Sequence, residues 1–227
     1  MYIAEIWRYP VKSMAGERLT EAMIAPGGIA GDRRLHVEDA RGRIVTARTH
    51  ARLLGHRART GTDGQVLVDD RPWFDPGVAA DLAVIAGAGA QLVPTTDGVF
   101  DVLPLLVATD GAIAAFGHDG RRLRPNLVIG DVAGLDERGW EGHGLRIGEV
   151  LIALADLRGR CVMTTYDPDT LVQDPGVLKS IVRRFDGSLA LNAMPLTSGP
   201  IRVGDAVTLV TPDEVKALAP ALHSSES

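Results

Sequence analysis

The chain is 227 residues long, 45% of its residues are hydrophobic, and its formal net charge at pH 7 is −5. This length and composition suit a globular protein with one large domain or two small ones. Its single cysteine excludes an internal disulfide framework and fits a reducing compartment, so we expect a cytoplasmic protein. No apolar stretch approaches the roughly 18 residues of a membrane helix, and Met1–Ile6 lacks the regions of a signal peptide. We therefore expect no membrane partner.

Basic residues are concentrated at the start of the chain. Residues 1–60 hold 11 Lys and Arg against 6 Asp and Glu, whereas the remainder is acidic. A basic patch can bind nucleic acid, but aromatic residues make up only 4% of the chain and offer few platforms for stacked bases. No helix-turn-helix or zinc-finger spacing is visible. These observations predict a small phosphorylated ligand and no nucleic acid, with most of the arginines on solvated strand faces.

Short strand-like runs dominate the sequence, and many are bounded by glycine or aspartate, as in small barrels. The predicted strands are Tyr2–Tyr9, Leu19–Ala25, Leu35–Glu38, Arg43–Thr46, Gln65–Val68, Asp81–Ile85, Gln91–Pro94, Asn126–Ile129, Leu145–Ile147, Val150–Ala155, Cys161–Thr165, Ala190–Ala193, Ile201–Val203 and Ala206–Val210. Capping residues predict a helix at Asp110–Phe116, and apolar spacing predicts another at Pro175–Phe185. The pattern indicates a mainly β fold with a few helices, in which closed or half-closed barrels hide the strand edges.

The lone cysteine, Cys161, directly follows Arg160. A thiolate is both a nucleophile and a metal ligand, and neighbouring positive charge favours it. One thiolate cannot build a zinc cage or an iron–sulfur cluster, but it can supply one bond to a metal that an organic cofactor already holds. Free cysteine is also a small, well-buried hydrophobic residue, so a purely structural role is the alternative.

Two turns near the N-terminus carry side chains suited to a phosphate. Lys12 and Ser13 place an ammonium beside a hydroxyl, which combines a point charge with a directed hydrogen bond. Arg33 follows a glycine-rich turn that allows close approach to a ligand. The alternative for Arg33 is a simple ion pair with Asp32.

Two further candidates precede regular elements. Asn126 follows Pro125 at the start of a strand, and its amide suits the edge of a heterocycle, or it caps a turn. Thr109 and Asp110 stand at the head of a helix, where free amides attract anions. The carboxylate of Asp110 would repel a phosphate there. None of the six histidines forms a pair at metal-ligand spacing.

Taken in order, several segments resemble the MOSC family, the molybdenum cofactor sulfurase C-terminal domain. The matching segments are Tyr9-Pro10-Val11-Lys12-Ser13, Gly31-Asp32-Arg33-Arg34, Val45-Thr46-Ala47-Arg48, Arg124-Pro125-Asn126-Leu127-Val128, Arg160-Cys161-Val162-Met163-Thr164-Thr165-Tyr166-Asp167-Pro168 and Ile201-Arg202-Val203-Gly204-Asp205. The resemblance implies the two-part form: an N-terminal MOSC-associated β-barrel-like region at 1–97, a MOSC domain at 98–212 and a flexible tail at 213–227.

Members similar to the mitochondrial amidoxime reducing component carry a molybdenum cofactor, molybdopterin. They reduce N-hydroxylated and N-oxide small molecules. The resemblance implies that Cys161 binds the metal and that the adjacent Arg160 supports the thiolate in catalysis. The phosphate contacts that it implies are Lys12, Ser13 and Arg33. The pterin contacts that it implies are Thr109, Arg124, Asn126 and Arg160.

The sequence departs from that family pattern in a few places. Asp110 replaces the serine expected beside Thr109. No four-cysteine ferredoxin domain follows, so we expect the electron donor to be a separate protein. No aminotransferase-like domain and no Schiff-base lysine context are visible, so nothing here supports pyridoxal phosphate, which is associated with the family. The alternatives are a sulfur carrier or cofactor chaperone with a persulfide on Cys161, and a binding module with a vestigial cleft.

Overall fold

The computed structural model describes the backbone of residues 1–223 and the side chains of residues 1–217. The strands are β1 (Tyr2–Arg8), β2 (Glu17–Leu19), β3 (Glu21–Ala25), β4 (Gly28–Ile29), β5 (Leu35–Glu38), β6 (Ile44–Val45), β7 (Ala58–Thr60), β8 (Val66–Val68), β9 (Arg71–Pro72), β10 (Gln91–Pro94), β11 (Leu105–Thr109), β12 (Leu127–Gly130), β13 (Gly144–Ile147), β14 (Val150–Gly159), β15 (Ser188–Pro195), β16 (Gly199–Arg202) and β17 (Thr208–Val210). The α-helices are α1 (Pro76–Ala86), α2 (Asp110–Phe116), α3 (Pro175–Phe185) and α4 (Pro212–His223). Short 3-10 helices lie at Ala51–Gly55, Gly120–Leu123, Asp136–Gly139 and Val162–Thr165.

An eight-stranded sheet joins the two ends of the sequence, in the order β17-β13-β14-β15-β11-β12-β1-β2. Within this sheet, β11 and β12 pair in parallel, and the other neighbouring strands pair antiparallel. A register shift in β1 between Ile3 and Glu5 turns both Ile3 and Ile6 into the core, although they are three residues apart. A bridge between Tyr2 and Ala206 brings β1 against the chain just before β17, so the sheet is curled. The prediction of a mainly β fold with a few helices is confirmed.

Two main hydrophobic cores fill the molecule. The larger lies inside the curled sheet and packs residues from both halves of the chain, such as Ile3 and Ile129. The second is formed by buried residues between Val11 and Leu92, and it includes Leu82. Three small sheets, β10-β5-β6, β16-β3-β4 and β7-β8-β9, complete the β structure. Because β1 belongs to the large sheet, the N-terminal part contributes to both cores; the boundary at residue 97 stays a prediction.

Two predicted strands are wrong. The segment Asp81–Ile85 lies within helix α1, which begins where Asp75 accepts a hydrogen bond from Gly77 N and Pro76 occupies the first turn. In the segment Cys161–Thr165, Cys161 is extended but Val162–Thr165 form a 3-10 turn rather than a strand. Hydroxyls of Thr164 and Thr165 donate to the carbonyls three residues earlier, and these local bonds replace strand pairing.

The end of the chain also differs from expectation in its local structure. Helix α4 covers Pro212–His223, which is most of the segment predicted to be a flexible tail. The flexibility of 213–227 stays a prediction. Among the described residues, no helix has the length and apolar character needed to cross a membrane.

Candidate functional site

One cavity brings together most of the predicted site residues. It opens between the turn that follows β1, the turn that precedes β12 and the end of β14. Seven of the eight predicted residues line it: Lys12, Ser13, Arg33, Arg124, Asn126, Arg160 and Cys161. The turn after β1 is held in place by backbone pairing, since Arg33 N donates to Tyr9 O at 2.8 Å and Lys12 N donates to Leu35 O at 2.8 Å.

Cys161 is half-buried and lines this cavity, so its thiol is not sealed in a core. Register shifts between β14 and β15 on either side of Leu157 bend the strand that leads to it. Arg160 N then donates to Gly187 O at 2.8 Å, which fixes the backbone just before the cysteine. The carbonyl of Cys161 accepts from the hydroxyl of Thr164 at 2.8 Å. The backbone is thus anchored on both sides of the thiol.

Two guanidinium groups in the cavity have no carboxylate partner among the described side chains. Arg160 Nη2 donates to Leu123 O at 2.7 Å, while its Nε is buried without a hydrogen-bond partner. Burial lowers the pKa of Arg160 to about 10, and the nearby Cys161 opposes this shift. Burial also lowers the pKa of Arg124 to about 10. Both groups are still cationic at neutral pH, so the cavity carries uncompensated positive charge.

Lys12, by contrast, is already paired within the protein. Its Nζ donates to Asp101 Oδ1 at 2.7 Å and to Val99 O at 3.1 Å. Burial lowers the pKa of Lys12, and the hydrogen bond to Asp101 opposes that shift. Neighbouring Ser13 accepts a hydrogen bond from Ala47 N at 3.0 Å, which leaves its own hydroxyl proton free to be donated.

Arg33 and Asn126 belong to a buried hydrogen-bonded network. The Arg33 guanidinium pairs with Asp32, which was the alternative considered from the sequence. It also donates to Asn126 Oδ1 at 3.3 Å. The Asn126 amide in turn donates to Trp7 O at 3.3 Å and to Asp32 Oδ2 at 3.1 Å, and it accepts from Leu106 N at 3.2 Å. The amide nitrogen and the amide oxygen of Asn126 both have hydrogen-bond partners within the protein, so Asn126 helps to hold the Arg33 guanidinium in place.

Thr109 lies away from the cavity lining. Its hydroxyl oxygen accepts from Ala112 N at 3.1 Å and so caps helix α2, and it donates to Glu137 Oε2 at 3.2 Å. The side chain is fully buried. Asp110 holds the adjacent loop, because its carboxylate accepts from the backbone amides of Asp131 and Val132. The structure thus does not bring Thr109 together with the other predicted site residues.

Three of the cavity residues have a left-handed backbone although none is glycine. The φ angles are 72° at Ser13, 50° at Arg33 and 56° at Arg124. Such conformations cost roughly 1–3 kcal/mol each and persist where the surrounding structure enforces them. The three side chains are thus held in the cavity at the cost of an unfavourable backbone conformation.

Sequence reasoning missed several residues that line the same cavity. Arg48 and Arg158 contribute two further cations, and Asp101 contributes a carboxylate. Arg48 was visible only as one of the many N-terminal arginines and as the last residue of the segment Val45-Thr46-Ala47-Arg48, and Arg158 stands two residues before Arg160. Asp101 lies in a segment without regular structure, where no periodic pattern indicates a side-chain direction. In the described part of the chain, no group of three or more His, Cys, Asp or Glu residues is placed to hold a metal ion.

Comparison with known proteins assigns both halves of the chain. Residues 1–86 match the MOSC N-terminal beta barrel domain, and residues 112–208 match the MOSC domain. The chain is 26% identical to mitochondrial amidoxime reducing component 2 from Macaca fascicularis and from Homo sapiens, over 76% of this chain and 68% of each relative. The crystal structure of the YUAD protein from Bacillus subtilis superposes with a TM-score of 0.52 at 12% identity, covering 92% of this chain and 95% of that one. That last likeness concerns the fold alone.

With an N-terminal MOSC barrel followed by a MOSC domain, the chain belongs to the MOSC domain family in its two-part form.

Proposed function

We propose that this protein binds a molybdenum cofactor and reduces N-hydroxylated or N-oxide small molecules with electrons from a separate electron-transfer protein. The observation that carries the proposal is that the only thiol, Cys161, shares one cavity with Lys12, Arg33, Arg124 and Arg160. The name of the amidoxime reducing component supports the reaction class.

The residues present fit such a cofactor chemically. Molybdopterin is anionic, and this cavity offers the positive charges of Arg124 and Arg160, which have no carboxylate partners among the described side chains. The buried Nε of Arg160 lacks a hydrogen-bond partner, which a ligand acceptor would supply. Cys161 is a soft donor of the kind that binds transition metals. An anionic cofactor with a thiol-binding metal matches each of these features.

Each side chain has a definite task in this proposal. Lys12, Ser13 and Arg33 would hold the phosphate, with Arg33 aimed by Asp32 and Asn126. Arg124 and Arg160 would contact the pterin. A pterin contact by Thr109 would require it to leave its buried position, so we place its contribution in capping helix α2.

When bound, the cofactor supplies a centre that exchanges two electrons. Reduction of a hydroxylamine-type group breaks one N–O bond, consumes two electrons and two protons, and releases an amine and water. The chain would contribute Cys161 as the thiolate ligand of the metal. The positive charge of Arg160, immediately before it, would favour this thiolate ligand. The open side of the cavity would admit the substrate. The proposal includes a cytoplasmic location, where the thiol stays reduced, and no nucleic acid or membrane partner.

The decisive experiment is elemental analysis combined with a Cys161→Ser variant. Protein purified from a host that overproduces the cofactor should contain about one molybdenum per chain. It should also reduce benzamidoxime when a chemical electron donor is supplied. Cys161→Ser should lose the activity and most of the metal but keep its thermal stability, because the thiol is half-exposed and unbonded. Arg59→Gln, a surface substitution at an exposed ion pair, is the control.

Mass spectrometry separates the alternative function. A sulfur carrier would hold one additional, reducible sulfur atom on Cys161 and would contain no molybdenum. Wild-type protein without molybdenum, even after reconstitution, would contradict the proposal.

A further inference from the structure

We infer that Lys12, Arg48 and Arg158 form an anion-binding site in the cavity wall, and that Asp101 occupies this site until a phosphate or carboxylate group of a ligand replaces it. The inference deepens the proposed function and rests on it for the identity of the ligand. The cation cluster itself is defined by geometry alone.

The geometry shows three cations converging on one carboxylate. Asp101 Oδ1 accepts from Lys12 Nζ at 2.7 Å, and Oδ2 accepts from Arg48 Nη2 at 2.8 Å and from Arg158 Nη2 at 3.1 Å. None of the three cations pairs with a second carboxylate among the described side chains. The cluster therefore keeps an excess of two positive charges when Asp101 is in place.

Two of the three cations, Lys12 and Arg158, are also held by hydrogen bonds that do not involve Asp101. Arg158 Nη1 donates to Asn192 Oδ1 at 3.4 Å, and Asn192 Nδ2 donates to Asp156 Oδ1 at 3.1 Å. Side-chain exposure is only 11% for Lys12 and 17% for Arg158. Partly buried cations are costly without an anion beside them, so an anionic group at this position stabilises the site.

Asp101 supplies that anionic group in the structure. Burial alone would raise the pKa of Asp101, but the hydrogen bond from Lys12 and the charges of Arg48 and Arg158 outweigh it and hold the pKa below its ordinary value. Asp101 is thus an anion at neutral pH and mimics a ligand oxyanion at this position.

Asp101 can also leave the site without breaking a helix or strand. It lies between β10 and β11, in a segment without regular secondary structure, and 31% of its side chain is exposed. A phosphate carries more negative charge than one carboxylate, so it compensates the three cations better. The displaced carboxylate would return to water.

Phosphate titration of the full chain prepared without cofactor tests this inference. Binding of inorganic phosphate, measured by calorimetry, should be about tenfold tighter in Asp101→Asn, because a competing anion is lost from charge-assisted hydrogen bonds. Arg48→Gln and Arg158→Gln should each bind phosphate more weakly than wild type. Arg59→Gln, whose partner Asp70 is elsewhere on the surface, should match wild type.

Equal phosphate affinity in wild type and Asp101→Asn would overturn the inference. If Asp101→Asn does not fold, Arg48→Gln decides, because its side chain is 44% exposed and its loss spares the core; unchanged phosphate affinity in that variant would overturn the inference as well. A parallel titration with acetate separates the sources: preference for phosphate assigns the site to a cofactor phosphate, and preference for acetate assigns it to a substrate carboxylate. Missing molybdenum in wild-type protein contradicts the proposed function but leaves these phosphate results standing.

Discussion

The guanidinium carbon of Arg124 lies 4.3 Å from the centre of the Tyr9 ring, so a cation is stacked on a buried aromatic face. Arg33 approaches the same ring at 5.1 Å. Burial raises the pKa of Tyr9 to about 12, although both arginines oppose this shift, so the ring is neutral under physiological conditions. The stack fixes Arg124 without neutralising its charge, which suits the proposed contact of Arg124 with an anionic cofactor.

Replacing Arg124 with glycine should separate binding from stability. The substitution removes a cation–π contact of about 0.5–2 kcal/mol, but it also relieves a left-handed backbone that costs roughly 1–3 kcal/mol. We expect the free energy of unfolding in urea to change by less than about 1 kcal/mol, while the molybdenum content falls sharply. Arg33→Gly is the comparison, because it also breaks the ion pair with Asp32 and should be clearly destabilised. Retained molybdenum in Arg124→Gly would contradict the expectation.

Asp110 should prove structural. Its carboxylate accepts hydrogen bonds from Gly111 N, Asp131 N and Val132 N at 2.8, 2.8 and 3.1 Å. Asp110→Ala should lower the free energy of unfolding by about 1–2 kcal/mol, with no change in molybdenum per folded chain. Asp110→Asn, which keeps one acceptor oxygen, should lose less. A fall in metal content without a loss of stability would instead give Asp110 a role in cofactor binding.

Glu137 should produce a pH-dependent difference in stability. Burial raises its pKa above the ordinary value, and the hydrogen bond from Thr109 only partly opposes this shift. A carboxyl group whose pKa is raised by folding stabilises the protein at pH values below its unfolded pKa, and this contribution is lost as the pH rises through the folded pKa. Glu137→Gln has no titrating carboxyl group and therefore does not lose this contribution as the pH rises. The free energy of unfolding of the variant relative to wild type should therefore increase with pH.

The advantage of Glu137→Gln should be small near pH 4 and reach about 1 kcal/mol near pH 7, the scale of one unsatisfied buried group. Oε1 of Glu137 is indeed buried without a hydrogen-bond partner. Thermal or urea unfolding across this pH range measures the difference. A constant difference at every pH would show that the carboxyl group does not titrate as its burial implies.

Asn126→Asp should be strongly destabilising. The new carboxylate would face Asp32 Oδ2, which lies 3.1 Å from the present amide nitrogen, and the donor to Trp7 O would be lost. Two buried carboxylates in contact cost several kcal/mol, and we expect a loss of about 3 kcal/mol at neutral pH. The loss should shrink on acidification, when the pair can share a proton. Similar stability of the variant and wild type at pH 7, measured by urea unfolding, would show that the network tolerates charge.

Local signals in the sequence predicted much of the fold. Helix α2 was predicted from a cap at Thr109 or Asp110 and from its closing glycine, and helix α3 from apolar residues on one face; the structure shows that Thr109 is the cap. Helix α1 was missed because only Val78 and Leu82 are buried in it, so it shows no clear helical periodicity. The Asp75-Pro76 pair was the local signal that could have identified it.

The candidate site was predicted less evenly. Cys161 was visible as the single cysteine of the chain, and its cationic neighbours from their turns and from the family resemblance; the structure places them in one cavity. Thr109 was assigned from its place at a helix start, but that place is also where a hydroxyl is used for capping. Asp101 could not be predicted, because its partners lie 89, 53 and 57 residues away in sequence. Only tertiary structure brings such a cluster together.

The pairing of β1 with β12 has a practical consequence for experiments on separate domains. Strand β1 covers β12 on one side, and β2 follows it at the margin of the same sheet. A fragment that begins after residue 97 would leave the apolar strand Leu127–Gly130 as an open edge. Such edges pair with other chains, so the fragment should aggregate or dimerise unless residues 1–97 are supplied in trans.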